Sequence, residues 1–192
     1  MSSSAEIVRC FGGPVDPLMM RYHDQEWGVP VHDDNTLFEF LVLEGAQAGL
    51  SWQTILNKRE NYRSAFHNFD PSEVAAYGNT DRQRLLADAG IVRNRLKIDS
   101  AISNAQRVLE VQREVGSFDR FIWRFTGDRT LRTAGRLTME NMSAQTAESE
   151  AMSRELKRRG FRFVGPTICY AFMQAVGMVN DHITDCFLAP RE

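Results

Sequence analysis

From about residue 35 to the C-terminus, apolar residues recur three and four apart, and almost nowhere do they alternate as a half-buried strand requires. That one pattern predicts an all-α fold. Residues with capping chemistry cut it into lengths that helices commonly have. Asn35 precedes Leu37, Phe38, Leu41 and Leu43, and Gly49 can end that helix in a left-handed turn. Ser51 can cap the next, which carries Trp52, Ile55, Leu56 and Tyr62 on one side and Lys58, Arg59 and Arg63 elsewhere. Asp70-Pro71-Ser72-Glu73 joins an N-cap, a first-turn proline and a glutamate able to bond back to the cap. Thr80 and Gly90 bracket a short helix, a longer one runs through Ile98 and Val108 to Gly116, and Phe118 to Phe125 forms another. Gly160 closes a helix from about Thr146 to Arg159, and Pro166 opens a last one, Thr167 to Val176, that Gly177 terminates. Between Gly127 and Leu137 the helical period is lost, which predicts a loop with a short hairpin.

A chain of 192 residues is long enough to bury one core, so residues 1–192 read as one domain, with a smaller helical lobe formed by the terminal segments. No apolar run approaches the roughly 20 residues of a membrane span, and Met1 to Glu6 lack the basic flank and apolar stretch of a signal peptide. A cytoplasmic location and no membrane partner are expected. Three cysteines, an odd number, argue against a disulfide framework and leave metal ligation or burial. Cys169, inside an apolar run, reads as core. The net charge of −2 excludes wholesale electrostatic binding to nucleic acid, so any DNA-binding surface must be local.

Three constellations carry chemistry. Cys10 and His23 near one end, with His182 and Cys186 near the other, supply two thiolates and two imidazoles, a donor set suited to tetrahedral zinc. His182 and Cys186 are four apart, which on a helix places both on one face. The other reading is that the histidines are hydrogen-bonded core or surface groups. If all four bind, no coordination position is left for water, and the ion is structural. The segment from Leu156 to Thr167 joins two helices through a glycine-bearing apolar turn beside Lys157, Arg158 and Arg159, as a helix-hairpin-helix does. Such a turn offers backbone N–H groups to a phosphate, while a plain helical corner with a solvated basic face has the same ingredients. Ala89 to Lys97 is a second candidate for a DNA-facing loop. Last, Glu44 stands among Gly45, Ala46, Ala48 and Gly49 at the end of an apolar helix, where a carboxylate needs a partner or a ligand. Small neighbours admit a planar ligand, Trp52 can stack on it, and Tyr22 can add a hydrogen bond. Close helix packing, with Trp52 in the core and Glu44 paired to an arginine, is the alternative.

The strings Tyr22 to Pro30, Leu43 to Trp52, Lys58 to Arg63, Gly90 to Arg93, Phe163 to Ala175 and Val179 to His182 resemble the 3-methyladenine DNA glycosylase I family, in order and over nearly the whole chain. The resemblance implies a helix-hairpin-helix DNA glycosylase-like fold and one structural zinc joining the N- and C-terminal segments through Cys10, His23, His182 and Cys186. It implies monofunctional hydrolysis of the N-glycosidic bond of 3-methyladenine, with double-stranded alkylated DNA as substrate and the free base as product. The base is flipped into a pocket where Glu44 is the catalytic, base-recognising carboxylate, Trp52 stacks, Tyr22 contacts the base and Trp27 forms a wall or core. It also favours Phe163, Val164, Gly165 and Thr167, with Lys157 and Arg158, as the DNA-contacting hairpin, and Asp181 as a structural group. The protein is expected to act as a monomer. Two departures stand out: Phe11-Gly12-Gly13 follows Cys10 where the family commonly has a tryptophan two residues on, and Met19 replaces a common tyrosine. Both remove aromatic surface near the pocket.

Overall fold

The structure is a computed structural model, and it describes residues 7–10 and 16–189. Helices dominate: α1 (Pro17–Gln25), α2 (Asp34–Gln47), α3 (Trp52–Ala65), α4 (Pro71–Ala75), α5 (Asn79–Ala87), α6 (Arg95–Val115), α7 (Phe118–Trp123), α8 (Ala147–Arg158) and α9 (Pro166–Ala175). The centre is α2, buried continuously from Leu37 to Ala46 because α3, α6, α7 and α9 all pack on it. A helix enclosed on every side has no solvent face on which to keep a charge, so each carboxylate on it needs an explanation. The long α6 lies along α4 and α5, and α8 packs on α9.

Several ends follow the local signals. Ser51 caps α3 by accepting from the Thr54 N–H at 3.2 Å, and Asp70 caps α4 through the Ser72 N–H at 2.8 Å. Others do not. The cap of α2 is Asp33, which accepts from the Thr36 N–H, and Asn35 sits inside the first turn. Its neighbour Asp34 caps a different helix, accepting from the N–H groups of Phe118 and Asp119 at 2.8 Å and so tying α7 to the start of α2. Gly78, not Thr80, precedes α5; its N–H donates to Asp81 at 3.1 Å. After Trp123 the chain tightens into one 3₁₀ turn, Arg124–Thr126.

The region 127–137 forms no hairpin. Its two-residue strand β1 (Leu131–Arg132) pairs in parallel with β2 (Val179–Asn180), just beyond α9. The Thr130 hydroxyl donates to the Gly177 carbonyl at 2.8 Å, and the Leu131 N–H donates to the Met178 carbonyl. Between α3 and α4, His67, Asn68 and Phe69 all take left-handed backbone angles, a conformation that L-residues visit reluctantly. Phe69 stacks on Phe66 (5.8 Å between centroids) and meets Phe38 edge-on, and that full burial holds the turn.

Candidate functional site

Two glutamates of α2 are buried, and they differ in company. Glu39 accepts from both Arg59 and Arg63 of α3, and Arg59 also donates to Glu26, so this carboxylate is neutralised within a network. Glu44, almost wholly buried, has no ion pair and no hydrogen bond among the described residues. The arginine that could have paired with it is committed elsewhere. Burial alone pushes its carboxyl from 4.5 up to about 8.

Glu44 forms part of the wall of a cavity of about 340 Å³. Tyr22 and Met19 of α1, Trp27, Trp52 at the start of α3, and Gln174 of α9 complete much of that wall. Tyr22 and Trp52 stand 5.3 Å apart at 49°, two tilted aromatic faces beside one carboxyl. Burial and the nearby Glu44 hold the Tyr22 hydroxyl well above its ordinary range, so it stays a neutral donor. The Trp52 indole N–H is buried and has no hydrogen-bond partner among the described residues. A largely apolar cavity walled by aromatic rings, with a carboxyl that has no partner among the described residues, suits a planar aromatic ligand that carries positive charge or N–H donors. Met19 lies in this wall, whereas Phe11, Gly12 and Gly13 fall outside the described residues.

Trp27 connects the cavity to a second cluster. Its ring is 4.8 Å from that of His182, edge to face, and 6.0 Å from that of His23, stacked. The ligand atoms of Cys10, His23 and Cys186 all lie within 4.8 Å of one another. His182 is not within that three-membered group but abuts it, with its ring 5.0 Å from that of His23. Gly28 makes the approach possible, since a Cβ there would stand 3.0 Å from the His182 ring. His182 and Cys186 sit on an irregular turn, not the helix that their spacing suggested. Both imidazoles are oriented from behind: His23 Nδ1 donates to Asp24 at 2.7 Å and His182 Nδ1 to Asn180 at 2.9 Å. That leaves each Nε2 as an acceptor, and His182 Nε2 is buried without a hydrogen-bond partner among the described residues. Burial pushes the Cys10 thiol up to about 12; burial and then the adjacent His23 push His182 down to about 4.

The turn between α8 and α9 holds the remaining predicted residues. Gly165 precedes α9, Phe163 takes a left-handed angle, and Val164 is buried with its carbonyl accepting from Ser153 at 2.6 Å. Thr167 and Lys157 are exposed. Arg158 is exposed too, but it donates twice to Glu155, which Arg158 and Arg159 hold down at about 2. The basic cluster is therefore less cationic than its sequence. The turn presses on the cavity helix: a Cβ at Gly45 would meet Phe163 Cβ at 3.2 Å. Asp181 is buried and engaged, accepting from Tyr170 at 2.5 Å, Gln174 at 2.8 Å and Thr133 at 3.0 Å.

Gln174 and Met142 belong to the cavity wall although nothing singled them out in the sequence. For Gln174 a signal existed, a lone amide in the apolar run of α9. For Met142, on an irregular segment, none did.

The methyladenine glycosylase family profile matches residues 13–189. DNA-3-methyladenine glycosylase 1 of Escherichia coli (strain K12) is 50% identical over 182 residues, covering 95% of this chain and 97% of that protein. A crystal structure of 3-methyladenine DNA glycosylase I superposes with a TM-score of 0.91 at 50% identity, covering 95% of this chain and all of that one. A single-residue variant of 3-methyladenine DNA glycosylase I, solved in complex with 3-methyladenine, superposes at 0.90 with 34% identity, over 96% of this chain and 98% of that one. With sequence and backbone agreeing over nearly its whole length, the chain belongs to the methyladenine glycosylase family.

Proposed function

We propose that this protein is a DNA-3-methyladenine glycosylase that flips the alkylated base out of duplex DNA into the cavity at Glu44 and releases it by hydrolysis of its N-glycosidic bond. The observation that carries this reading is the buried carboxyl of Glu44, which has no cation or hydrogen-bond partner among the described residues, beside the rings of Tyr22 and Trp52. The relatives named for this activity, and the solved complex with 3-methyladenine, support it.

The chemistry explains so sparse a site. Adenine methylated at N3 and still joined to deoxyribose carries a positive charge, so the base is a good leaving group without prior protonation. What the protein supplies is selection. A flipped cation beside Glu44 favours the carboxylate over the acid, and the proton leaves as the base enters. The carboxylate accepts from the exocyclic amine, while the ring of Trp52 adds a cation–π attraction of about 0.5 to 2 kcal/mol. Neutral adenine gains neither in full. The bond from the sugar carbon to the base breaks with its electrons going to the base, which leaves neutral, and water adds to that carbon and gives up a proton to solvent. Trp27 serves as a wall of the cavity.

We assign Cys10, His23, His182 and Cys186 as ligands of one structural zinc. The buried Nε2 of His182, an acceptor without a hydrogen-bond partner among the described residues, is the chemistry a cation ligand needs, as are the acceptors behind both imidazoles. When bound, zinc supplies a cross-link between the terminal segments, which would form a small lobe on a single domain, and four protein ligands leave no position for catalytic water. The α8–α9 turn is read as a helix-hairpin-helix in which the Phe163, Val164, Gly165 and Thr167 region meets the DNA backbone, with Lys157 and Arg158 alongside. One chain holds a whole site, so a monomer suffices. No helix among the described residues is long and apolar enough to cross a membrane.

The test is release of free 3-methyladenine from methylated duplex DNA by purified protein. Release establishes the reading; folded, zinc-loaded protein that binds DNA without release would make it a noncatalytic module. The DNA face has its own test. Lys157→Ala should reduce the slope of log affinity against log salt by about 0.9, the value for one phosphate contact. Arg158→Ala should change it less, because Glu155 already holds that guanidinium. An unchanged slope for Lys157→Ala would remove α8 from the interface.

A further inference from the structure

A second cavity, about 470 Å³, lies where α5, α6 and the α8–α9 turn meet. Its walls bring together Arg82, Arg95 and Arg162 around one carboxylate, Asp99. Arg82 donates to Asp99 at 2.9 Å, and Arg95 lies 3.7 Å from the other oxygen. Arg162 has no ion pair among the described residues. Three guanidinium groups against one acid leave a net charge of about +2 in this cleft, while the whole chain carries −2. The concentration of positive charge is therefore local and built from three elements.

The cleft is also held in place. Arg162 donates its backbone N–H to the buried Asn104 side chain at 2.8 Å and accepts from it through its carbonyl at 3.0 Å. This two-way clip fixes the turn against α6 and leaves the Arg162 side chain exposed. The clipped turn and the start of α6 then share a support. Phe163 packs on Gly45, and Lys97 donates to the carbonyls of Ala46 and Ala48, both at 2.7 Å. Those α2 residues adjoin Glu44 and Gln47, which line the base cavity. The arginine cleft is thus joined, through Phe163 and Lys97, to the end of α2 that carries Glu44.

We propose that the cleft binds a backbone phosphodiester of the DNA strand, beyond the hairpin contact, with Arg95 and Arg162 as donors and Asp99 as a built-in restraint. Guanidinium groups match phosphate oxygens two at a time, and a cleft that presents two of them positions the strand without reading its sequence. Asp99 competes with the phosphate for Arg82 and Arg95, which keeps the cleft from binding anions indiscriminately. The inference rests on the glycosylase reading, which supplies the duplex.

The experiment is binding of a labelled duplex carrying an abasic-site analogue, followed by fluorescence anisotropy across a salt series. Wild type is compared with Arg95→Ala/Arg162→Ala and with Asp99→Asn, and melting temperatures are recorded because both arginine side chains are exposed. The double variant should keep its melting temperature and show a salt slope shallower by about 0.9, the value for one lost phosphate contact. Between 50 and 200 mM salt, wild type should then lose about three- to fourfold more affinity than the double variant. Asp99→Asn should move the other way, binding severalfold tighter. A wild-type slope in the double variant overturns the proposal while leaving the glycosylase reading intact. A folded wild type that binds no duplex overturns both. Inorganic phosphate at constant ionic strength separates the sources: if it saturates wild type but not the double variant, and leaves the DNA isotherm unmoved, the cleft is a free-anion site and the proposal falls.

Discussion

Substituting Glu44 by glutamine leaves a folded protein that excises 3-methyladenine about 5- to 13-fold more slowly, the loss expected when a hydrogen bond to a charged group worth about 1.5 to 3 kcal/mol becomes a neutral one worth about 0.5 to 1.5 kcal/mol. Glutamine keeps the shape and cannot carry the charge. Two pH dependences separate this from a structural effect. The carboxyl is raised from 4.5 to about 8 by burial, so between those values the folded protein holds a proton that the unfolded chain has lost. Stability from this group is complete below about 4.5 and is lost as pH rises through about 8. The glutamine variant has no such proton, so its melting temperature relative to wild type should climb between pH 5 and pH 8. Excision runs the opposite way. Only the carboxylate attracts the cation, so kcat/KM of wild type should rise with pH toward about 8, and the variant should lack that rise. Melting at the two pH values and excision across the range check both. Wild-type rates and profile in the variant, or a variant unfolded at pH 7, would end the assignment of Glu44 as a recognition residue.

That Glu44 could be picked out from sequence depended on its setting, a carboxylate in an apolar helix among small residues. Glu39 shares the helix and the burial, and only the structure separates them, because which glutamate Arg59 reaches is decided by how α3 packs on α2. Helix ends were legible wherever one residue does the work by local chemistry, as at Ser51 and at the positive-φ glycines 49, 116, 160 and 177. They were not legible at Asp33, Asp34 and Asn35, three residues able to cap. There Asp34 is claimed by the N–H groups of α7, far along the chain, and Asp33 takes the helix. The β1–β2 pair leaves no local period because its partners are brought together only after α9 has folded back. His182 and Cys186 are spaced as on a helix, yet the chain there turns irregularly, with the Cys186 N–H donating to the Ile183 carbonyl at 2.8 Å. Spacing misjudged the backbone that presents this pair, and the structure groups Cys186, without His182, with Cys10 and His23.

On the zinc assignment proposed above, removing the metal should loosen one end of the protein and blunt the base cavity together. Zinc in small structural sites supplies about 10 to 16 kcal/mol, but here α2 and its neighbours form a core without it. If roughly a third of that is lost, about 4 kcal/mol, a chain of this size melts about 8 to 16 °C lower. The loss should be local first. Hydrogen exchange should quicken in α1 and in residues 178–189, which the cluster joins, while α2 and α6 keep their protection. Trp27 carries the effect inward, since its ring rests on both His23 and His182 and its other side lines the cavity. Affinity for free 3-methyladenine should therefore fall with the metal, and Trp27 fluorescence should shift at the same chelator concentration. Cys186→Ser should reproduce all of this and should lower bound zinc from the one ion per chain expected of wild type. A metal-free protein that melts as before but no longer turns over would mark the ion as catalytic, and one with wild-type melting, exchange and base affinity would remove zinc from the account of this fold.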